Sequence, residues 1–505
     1  MAGQGRGRSR GGHVSRPDAR TLIATVLDDG SWRSWDDPIT DPAPPGSSYA
    51  EELAAARAKS GCDESVITGE GLLDGRRVAI VASEFSFLAG SIGVAAADRI
   101  ARAIQRATAE RLPLLAAPAS GGTRMQEGAP AFVQMVKITT AVQLHRGAGL
   151  PYVVYLRHPT TGGVFASWGS LGHVTAAEPG ALIGFLGPRV FESLHGYPFP
   201  EGVQTAANLF THGLVDAVVD AASARAVAIR ALSVLCSDDA LTRARPDEPE
   251  EDLRPVEAWE AITRSRRDDR PGVRALLKLA ARDVTPLNGT GEGEHDPGLL
   301  LALARFGSAP AVVLGQDRRR QRAIAPLGPA GLRVARRGMR LAAELGLPLV
   351  TVIDTAGAAL SKAAEEGGLA AEIARCLADL VMLEAPTVCL LLGEGAGGGA
   401  LALLPADRVV AAQHAWLSPL PPEGASAILY RSVDFAPEIA QAQRVRATDL
   451  RTAGIVDRVV PERPDAAYEP RAFCERVGRT LEYEIAGLLT RDQAERRTAR
   501  LARYS

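Results

Sequence analysis

The 505-residue chain exceeds the size at which one hydrophobic core usually stops growing, so two domains are the starting expectation. With 46% hydrophobic and 23% charged residues and a formal net charge of -2, it has the makings of a sizeable core and no global field favouring nucleic acid or an anionic membrane. Five scattered cysteines without a CxxC pair argue against a zinc ribbon or disulfide scaffold, and neither a bilayer-length apolar run nor a signal-peptide pattern occurs, so a cytoplasmic location without metal is expected.

In chain order, MAGQGRGRSRGGHVSR is basic and glycine-rich, and residues 1–60 are expected to hold this disordered tail and a helical segment. Residues 61–235 read as a first α/β domain. RVAIVASEFSFLAG looks like paired strand segments, AAADRIARAIQRATAERL a helix, and LPLLAAPAS and LPYVVYLRHP buried strands. Residues 236–305 are charged, contain SDDALTRARPDEPEEDLRPVEAW and NGTGEGEHDPG, and read as a linker with a helical segment. In residues 306–490, AVVLGQD, LPLVTVIDT and APTVCLLLGEG read as strands, with GLRVARRGMRLAAELG and AEIARCLADLVMLEA as helices between them. Residues 491–505 are expected to be a tail.

The two domains repeat one another. ERLPLLAAPASGG matches LGLPLVTVIDTAG, each an apolar strand after Leu-Pro and before a Ser/Thr-x-Gly turn, with Pro113 and Pro348 235 residues apart. The same shift carries Gly162-Gly163 onto Gly397-Gly398 and HVTAAEPGALIG onto RVVAAQHAWLSP; THGLVDAVVD and TAGIVDRVVP match near the ends. Four matches in one order indicate a duplicated domain, with functional loops at strand ends.

Paired glycines between a strand and a helix allow a sharp turn and close approach of a ligand to backbone N–H groups. At a helix start those groups are unpaired and favour developing negative charge. TTGGVFASWGSLG and LLLGEGAGGGALALL both have this layout. Tight strand–helix packing is the alternative use of the same glycines. GxxxxGK[ST] is absent, and GEGAGGGA lacks the acidic residue of a dinucleotide loop. His145, His158 and His173 suggest no nucleophile–base arrangement, and Glu127, Glu365, Glu366 and Glu423 border glycine turns, where a carboxylate commonly caps a helix. Arg124, in SGGTRMQEG, is suited to a phosphate or carboxylate, or to solvent.

The first half resembles the carboxyltransferase β subunit of bacterial acetyl-CoA carboxylase through FSFLAGSIG, RLPLLAAPASGGTRMQEG, HPTTGGVFASWGSLG and AEPGALIGFLGPRV. The second half resembles the α subunit through AWEAITRSRRDDRP, GLRVARRGMRLAAELGLPLVTVIDTAG, LLGEGAGGGALALL and PPEGASAIL. The resemblance covers most of residues 60–460, in the order of a β-α fusion. It implies two tandem crotonase-like spiral domains and transfer of carboxylate from N1 of carboxybiotin, on a separate carrier protein, to the α-carbon of an acyl-CoA. Acetyl-CoA would give malonyl-CoA. Biotin carboxylase and the biotin carboxyl carrier protein are the implied partners, in a homo-oligomer whose sites lie between copies.

This chemistry accounts for the missing base, because the ureido nitrogen of biotin can itself take the α-proton. The chain then has to stabilise two developing oxyanions with fixed backbone donors. The resemblance assigns the thioester hole to Gly162 and Gly163, and the biotin hole to Gly398 and Gly399, with Gly397 beside it and Ala400 an alternative donor because the GGGA register is open. Gly121, Gly122, Arg124 and Thr161 are expected around the first site; Gly357, Glu423 and Gly424 around the second, with Pro422 in its wall. Departures fall beside these loops: no four-cysteine ribbon, IDTAGAAL in place of IDTPGAYPG, LSPLPPEG in place of a shorter turn, and Trp168 in place of a smaller aromatic. They leave three alternatives: a carboxyltransferase for propionyl or longer acyl-CoA, a malonate or malonyl-thioester decarboxylase, and a silent scaffold of the carboxylase complex.

Overall fold

The computed structural model describes residues 16–40, 42–236, 246–249 and 252–504, and the basic stretch at residues 1–15 lies outside them. A first sheet runs in the order β1 (Arg33–Ser34), β2 (Val66–Leu73), β3 (Arg76–Ser83), β4 (Leu114–Ala117), β5 (Tyr152–Leu156), β7 (Val174–Ala177), β9 (Ala217–Val218). Beside it, β6 (Thr160–Thr161) pairs with β8 (Ile183–Gly184). The second sheet runs β10 (Arg282–Leu287), β11 (Leu299–Phe306), β12 (Ala309–Gln316), β13 (Leu349–Thr355), β14 (Thr387–Ala396), β15 (Arg408–Ala412), β17 (Arg458–Val460), and β16 (Trp416–Ser418) pairs with the end of β14. In each sheet the first three strands are antiparallel and the rest parallel. Equal strand order and equal direction in both halves are what a duplicated α/β domain requires.

The repeat extends to single hydrogen bonds. In LVD and IVD, the Asp216 carboxylate accepts the Thr175 N–H at 2.8 Å and the Asp457 carboxylate accepts the Val409 N–H at 2.6 Å. The parallel strands are apolar on both faces because helices cover both. Pro329–Leu345 is such a helix: Leu332, Ala335, Met339 and Ala342 are buried, while Gly346 ends it in the left-handed conformation (φ 63°). A larger core joins one face of the first sheet to the second sheet, and a smaller one fills the other face beneath helices Val94–Ala109 and Gly128–Gly147.

Three expectations need correction. The partner of β3 is VITGEGLL, joined through Asp74-Gly75, both at positive φ, and not the later half of RVAIVASEFSFLAG. That half turns away because the Glu84 carboxylate holds the Ser86 N–H at 2.9 Å and the Ala19 N–H at 2.9 Å. Residues 236–305 are more than a linker with a helical segment, since they contain β10 and all but the last residue of β11, and every residue of β11 is buried in the second sheet. Residues 491–505 are more than a tail: helix Gln493–Arg503 is held by buried Arg500, which grips Asp407 through two hydrogen bonds of 2.8 and 2.7 Å. The halves meet where Glu344 accepts from Arg146 at 2.7 Å and from His173 at 3.1 Å, and where Asp216 pairs with Arg337 at 2.9 Å. Among the described residues, no helix is long and apolar enough to cross a membrane.

Candidate active site

Both glycine turns are built alike. β5 and β14 run apolar and buried to the edge of their sheets, then β6 and the end of β14 enter Gly162 and Gly397 at φ 62° and 66°. A side chain at either glycine would be strained, and a helix begins at each, Gly162–Phe165 and Gly397–Leu401. From the parallel neighbour of each strand comes the Ser/Thr-x-Gly turn. Ser120 Oγ accepts the Gly122 N–H at 3.0 Å, and Thr355 Oγ1 accepts the Gly357 N–H at 3.2 Å. These turns press on the helix starts: a Cβ on Gly122 would lie 3.6 Å from Gly162 Cα and 3.8 Å from Gly163 N, and a Cβ on Gly399 3.1 Å from Ala358 N.

The hydrogen bonds sort the donors. The Gly162 N–H already donates to the Phe185 carbonyl at 2.8 Å, and the Gly121 N–H to Ala89 at 2.9 Å. Among the described residues the Gly163 N–H meets no acceptor, as expected one residue into a helix. In the second turn Gly397, Gly398 and Gly399 occupy the first three helical positions, whose N–H groups the helix leaves open, whereas Ala400 is the fourth, where intrahelical bonding begins.

Thr161 serves the loop itself, its N–H donating to Ser120 O at 3.0 Å and its hydroxyl to the same oxygen at 3.3 Å. Arg124 is not available to a ligand. It is fully buried, Nη1 donates to Glu64 at 2.9 Å, Nη2 pairs with the same carboxylate and donates to the Ser91 carbonyl at 2.8 Å, and Glu127 and Tyr49 lie within reach of Nη1. Its expected role in holding an acyl-CoA therefore gives way to bracing the loop behind Gly122. Trp168 is also fully buried, its carbonyl accepting the Tyr152 hydroxyl at 2.7 Å, so it packs beneath the helix start and does not line an open surface. Glu423 and Gly424 lie in the first turn of helix Pro422–Tyr430, and Arg266 holds the Glu423 carboxyl below the usual range.

The three histidines near the first glycine turn have structural partners: His145 Nδ1 with Thr108, His158 Nδ1 accepting the Leu182 N–H, and His173 Nδ1 accepting the Tyr152 N–H. Burial lowers all three, His145 to about 4, so they are neutral near pH 7. Two further residues belong to the second site and carry no local sequence signal. Gln316, fully buried on β12, donates to the Gly399 carbonyl at 2.6 Å while its own carbonyl accepts the Asp354 N–H at 3.2 Å. It fixes the peptide plane that follows the open donors. Buried Glu394 on β14 receives Arg266 at 2.7 Å and Arg322 at 3.1 Å.

Comparison with known proteins identifies the family. A family model described as the carboxyl transferase domain matches residues 20–498. The probable biotin-dependent acyl-coenzyme A carboxylase beta3 subunit of Mycobacterium tuberculosis (strain ATCC 25618 / H37Rv) is 60% identical over 493 residues, 97% of this chain and 98% of the relative. The acetyl-coenzyme A carboxylase carboxyl transferase subunits beta/alpha of Salinispora tropica are 37% identical over 523 residues, covering 98% and 91%. Among solved structures, the transcarboxylase 12S hexamer with hydrolyzed methylmalonyl-coenzyme A bound has a TM-score of 0.70 at 21% identity, covering 92% of this chain and 89% of that one. A single-chain, multi-domain long-chain acyl-CoA carboxylase has a TM-score of 0.71 at 21% identity, covering 91% and 46%. These two likenesses bear on the fold, which is the duplicated α/β architecture expected from the repeat and the crotonase-like fold implied by the resemblance. With the family match running from the first described helix into the last, the chain belongs to the carboxyl transferase family.

Proposed function

We propose that this chain is the carboxyltransferase component of a biotin-dependent acyl-CoA carboxylase and that acetyl-CoA is its acceptor, giving malonyl-CoA for fatty-acid synthesis. Membership of the carboxyl transferase family carries the general reaction. The observation that supports stabilisation of two oxyanions is the pair of matched helix starts, each with open N–H donors and a Ser/Thr-x-Gly turn against it. Gly163 in the first turn is the donor for a thioester oxygen, and Gly398 and Gly399 in the second are donors for the ureido oxygen of biotin. Backbone donors held by β6–β8 pairing and by Gln316 need no rearrangement as charge develops on those oxygens.

Carboxybiotin, delivered on the carrier protein by biotin carboxylase, supplies the carboxylate and a nitrogen basic enough for the α-proton. The chain's part is to hold both oxygens and to exclude water. A cavity of about 850 Å³ lined by Lys59, Phe85, Leu88, Ala89 and His158 supports the acyl-CoA side. Its Ala89 carbonyl is bound by the Gly121 N–H, which links the cavity to the first turn. Five free thiols suit the reducing cytoplasm.

A second reading, a longer acyl chain, is favoured by one feature. Phe185, whose carbonyl takes the Gly162 N–H, is exposed, and Phe191, Tyr197 and Phe199 form an aromatic group beyond it. Reconstitution with biotin carboxylase and holo carrier, assayed over acetyl-, propionyl- and longer acyl-CoA, separates the readings. Carboxylation with acetyl-CoA preferred is expected. Preference for a long chain moves the assignment to the second reading. Malonyl-CoA decarboxylation without net carboxylation indicates a decarboxylase, and no turnover of any kind leaves only a scaffold.

A further inference from the structure

Charged residues behind the second glycine turn form a connected set centred on Arg266. This residue follows the helix Ala258–Ser265 within RSRRDDRP. Its Nε donates to Glu394 Oε1 at 2.7 Å, its Nη2 to Glu423 Oε2 at 3.1 Å, and its Nη1 to the other Glu423 oxygen. Its guanidinium carbon stands 5.5 Å from the centroid of the Trp416 ring.

These partners belong to three elements. Glu394 is on β14, three residues ahead of Gly397; Trp416 lies opposite Glu394 on β16; Glu423 is in the first turn of helix Pro422–Tyr430. β14 and β16 separate after the pair Ala396 and Ser418, one entering the glycine turn and the other leading to the helix. Arg266 thus joins the two chain paths close to where they divide. The carboxylates differ in what they would lose with it. Buried Glu394 also has Arg322 at 3.1 Å and Arg318 at 3.9 Å, whereas Arg266 is the cation paired with Glu423 among the described residues. Removing Arg266 leaves the strand neutralised and releases the helix start.

We propose that Arg266 is a positioning residue for the biotin side, fixing the gap between the Gly397–Leu401 helix start and the wall of Pro422, Glu423 and Gly424. It acts through Glu423 and touches no reacting atom. The inference rests on the carboxyltransferase reading above. Arginine suits the task because its planar fork meets a carboxylate at two points, which lysine cannot reproduce.

The test uses the full-length chain and Arg266→Met, Arg266→Lys, Glu423→Gln and the Met/Gln double variant. Turnover of malonyl-CoA, or of whichever carboxylated acyl-CoA the unmodified protein accepts, is followed with free biotin varied and then with the CoA thioester varied. Arg266→Met is expected to lower kcat/KM for biotin by about 100-fold, the scale of a misplaced binding wall. The KM for the CoA thioester should stay within about twofold and Tm unchanged, because the first site shares none of these contacts. Glu423→Gln should show the same split, the double variant should be no worse than Arg266→Met, and Arg266→Lys should recover part of the loss.

Equal loss toward both substrates with a lower Tm overturns the proposal, as does an Arg266→Met variant within twofold of the parent toward biotin. Amide exchange supplies a second readout. It should speed up in helix Pro422–Tyr430 of Arg266→Met and not around Gly122 and Gly163; unchanged exchange in that helix overturns the proposal even if the parent protein shows no turnover. Absence of turnover in the parent counts separately, against the carboxyltransferase reading.

Discussion

A side chain on Gly399 would crowd backbone, whereas one on Gly163 would crowd a movable side chain. A Cβ on Gly399 would stand 3.1 Å from a backbone nitrogen and 3.4 Å from Cβ of Ala358, which belongs to the opposing turn. On Gly163 the nearest atom would be Met135 Cγ at 3.2 Å, on a side chain that can change rotamer. Gly399→Val is therefore expected to push the two turns apart and misdirect the open donors, costing about 2.7 to 4 kcal/mol of transition-state stabilisation, or 100- to 1000-fold in rate. Gly163→Ala should cost less. Biotin-dependent turnover measures both, with circular dichroism to verify folding; equal and small effects would remove the donor role from Gly399. The turns were legible in the sequence because an apolar run followed by paired glycines is a local pattern. The burial of Arg124 was not, since Glu64 lies 60 residues upstream and only the fold brings the two together. Gln316 and Arg266 were hidden for the same reason: each acts on a turn made by another part of the chain.

At the scale of elements, the central parallel strands could be read directly, since continuous apolar runs bounded by Pro and Gly mark strands covered on both faces. The antiparallel edges were harder. β10 and β11 sit in a stretch whose charge and glycine content suggest a linker, yet LLLALARF is wholly buried. Asp74-Gly75 and Gly307-Ser308 close equivalent hairpins, and the first of these is a hairpin signal that the repeat comparison passes over. The contact of helix Pro329–Leu345 with the first half leads to a pH prediction. His173 Nδ1 accepts an amide N–H, so Nε2 carries the proton and donates it to Glu344. The hydrogen bond from His173 and the bonds from Arg146 hold the Glu344 carboxyl down at about 2, against an ordinary 4.5. Its contribution is complete above 4.5 and lost as pH falls toward 2. Burial lowers His173 below its ordinary 6.5, so its contribution is complete above 6.5 and lost as pH falls below that value. Both terms act in one direction, and the urea midpoint should fall on acidification below 6.5, with a further decline below 4.5. Glu344→Gln should flatten the lower part of that curve; an unchanged curve would show that this contact adds nothing to stability.

For the whole molecule, exposed apolar side chains lie next to both candidate sites. Phe132, Val133 and Val136 project from helix Gly128–Gly147, which begins just after the first Ser/Thr-x-Gly turn, and Leu360, Ile428, Leu429 and Tyr430 flank the second. Apolar surface clustered in this way on two halves of one chain marks an association face. A stable interface buries on the order of 1,200 to 2,000 Å². We expect a homodimer in which the first half of one copy meets the second half of the other, and Ile428→Glu should weaken it, as measured by light scattering. A monomer at working concentration would refute the arrangement. Complementation gives the sharper test. A variant disabled at Gly163 and one disabled at Gly399 are each expected to be inactive alone, because every site in each dimer carries the defect. Unfolded and refolded together, they form mixed dimers in which one site carries both defects and the other carries neither, so activity should return. If each chain instead held a complete site, mixing would restore nothing, and the apolar faces would then have to serve some contact other than the reaction.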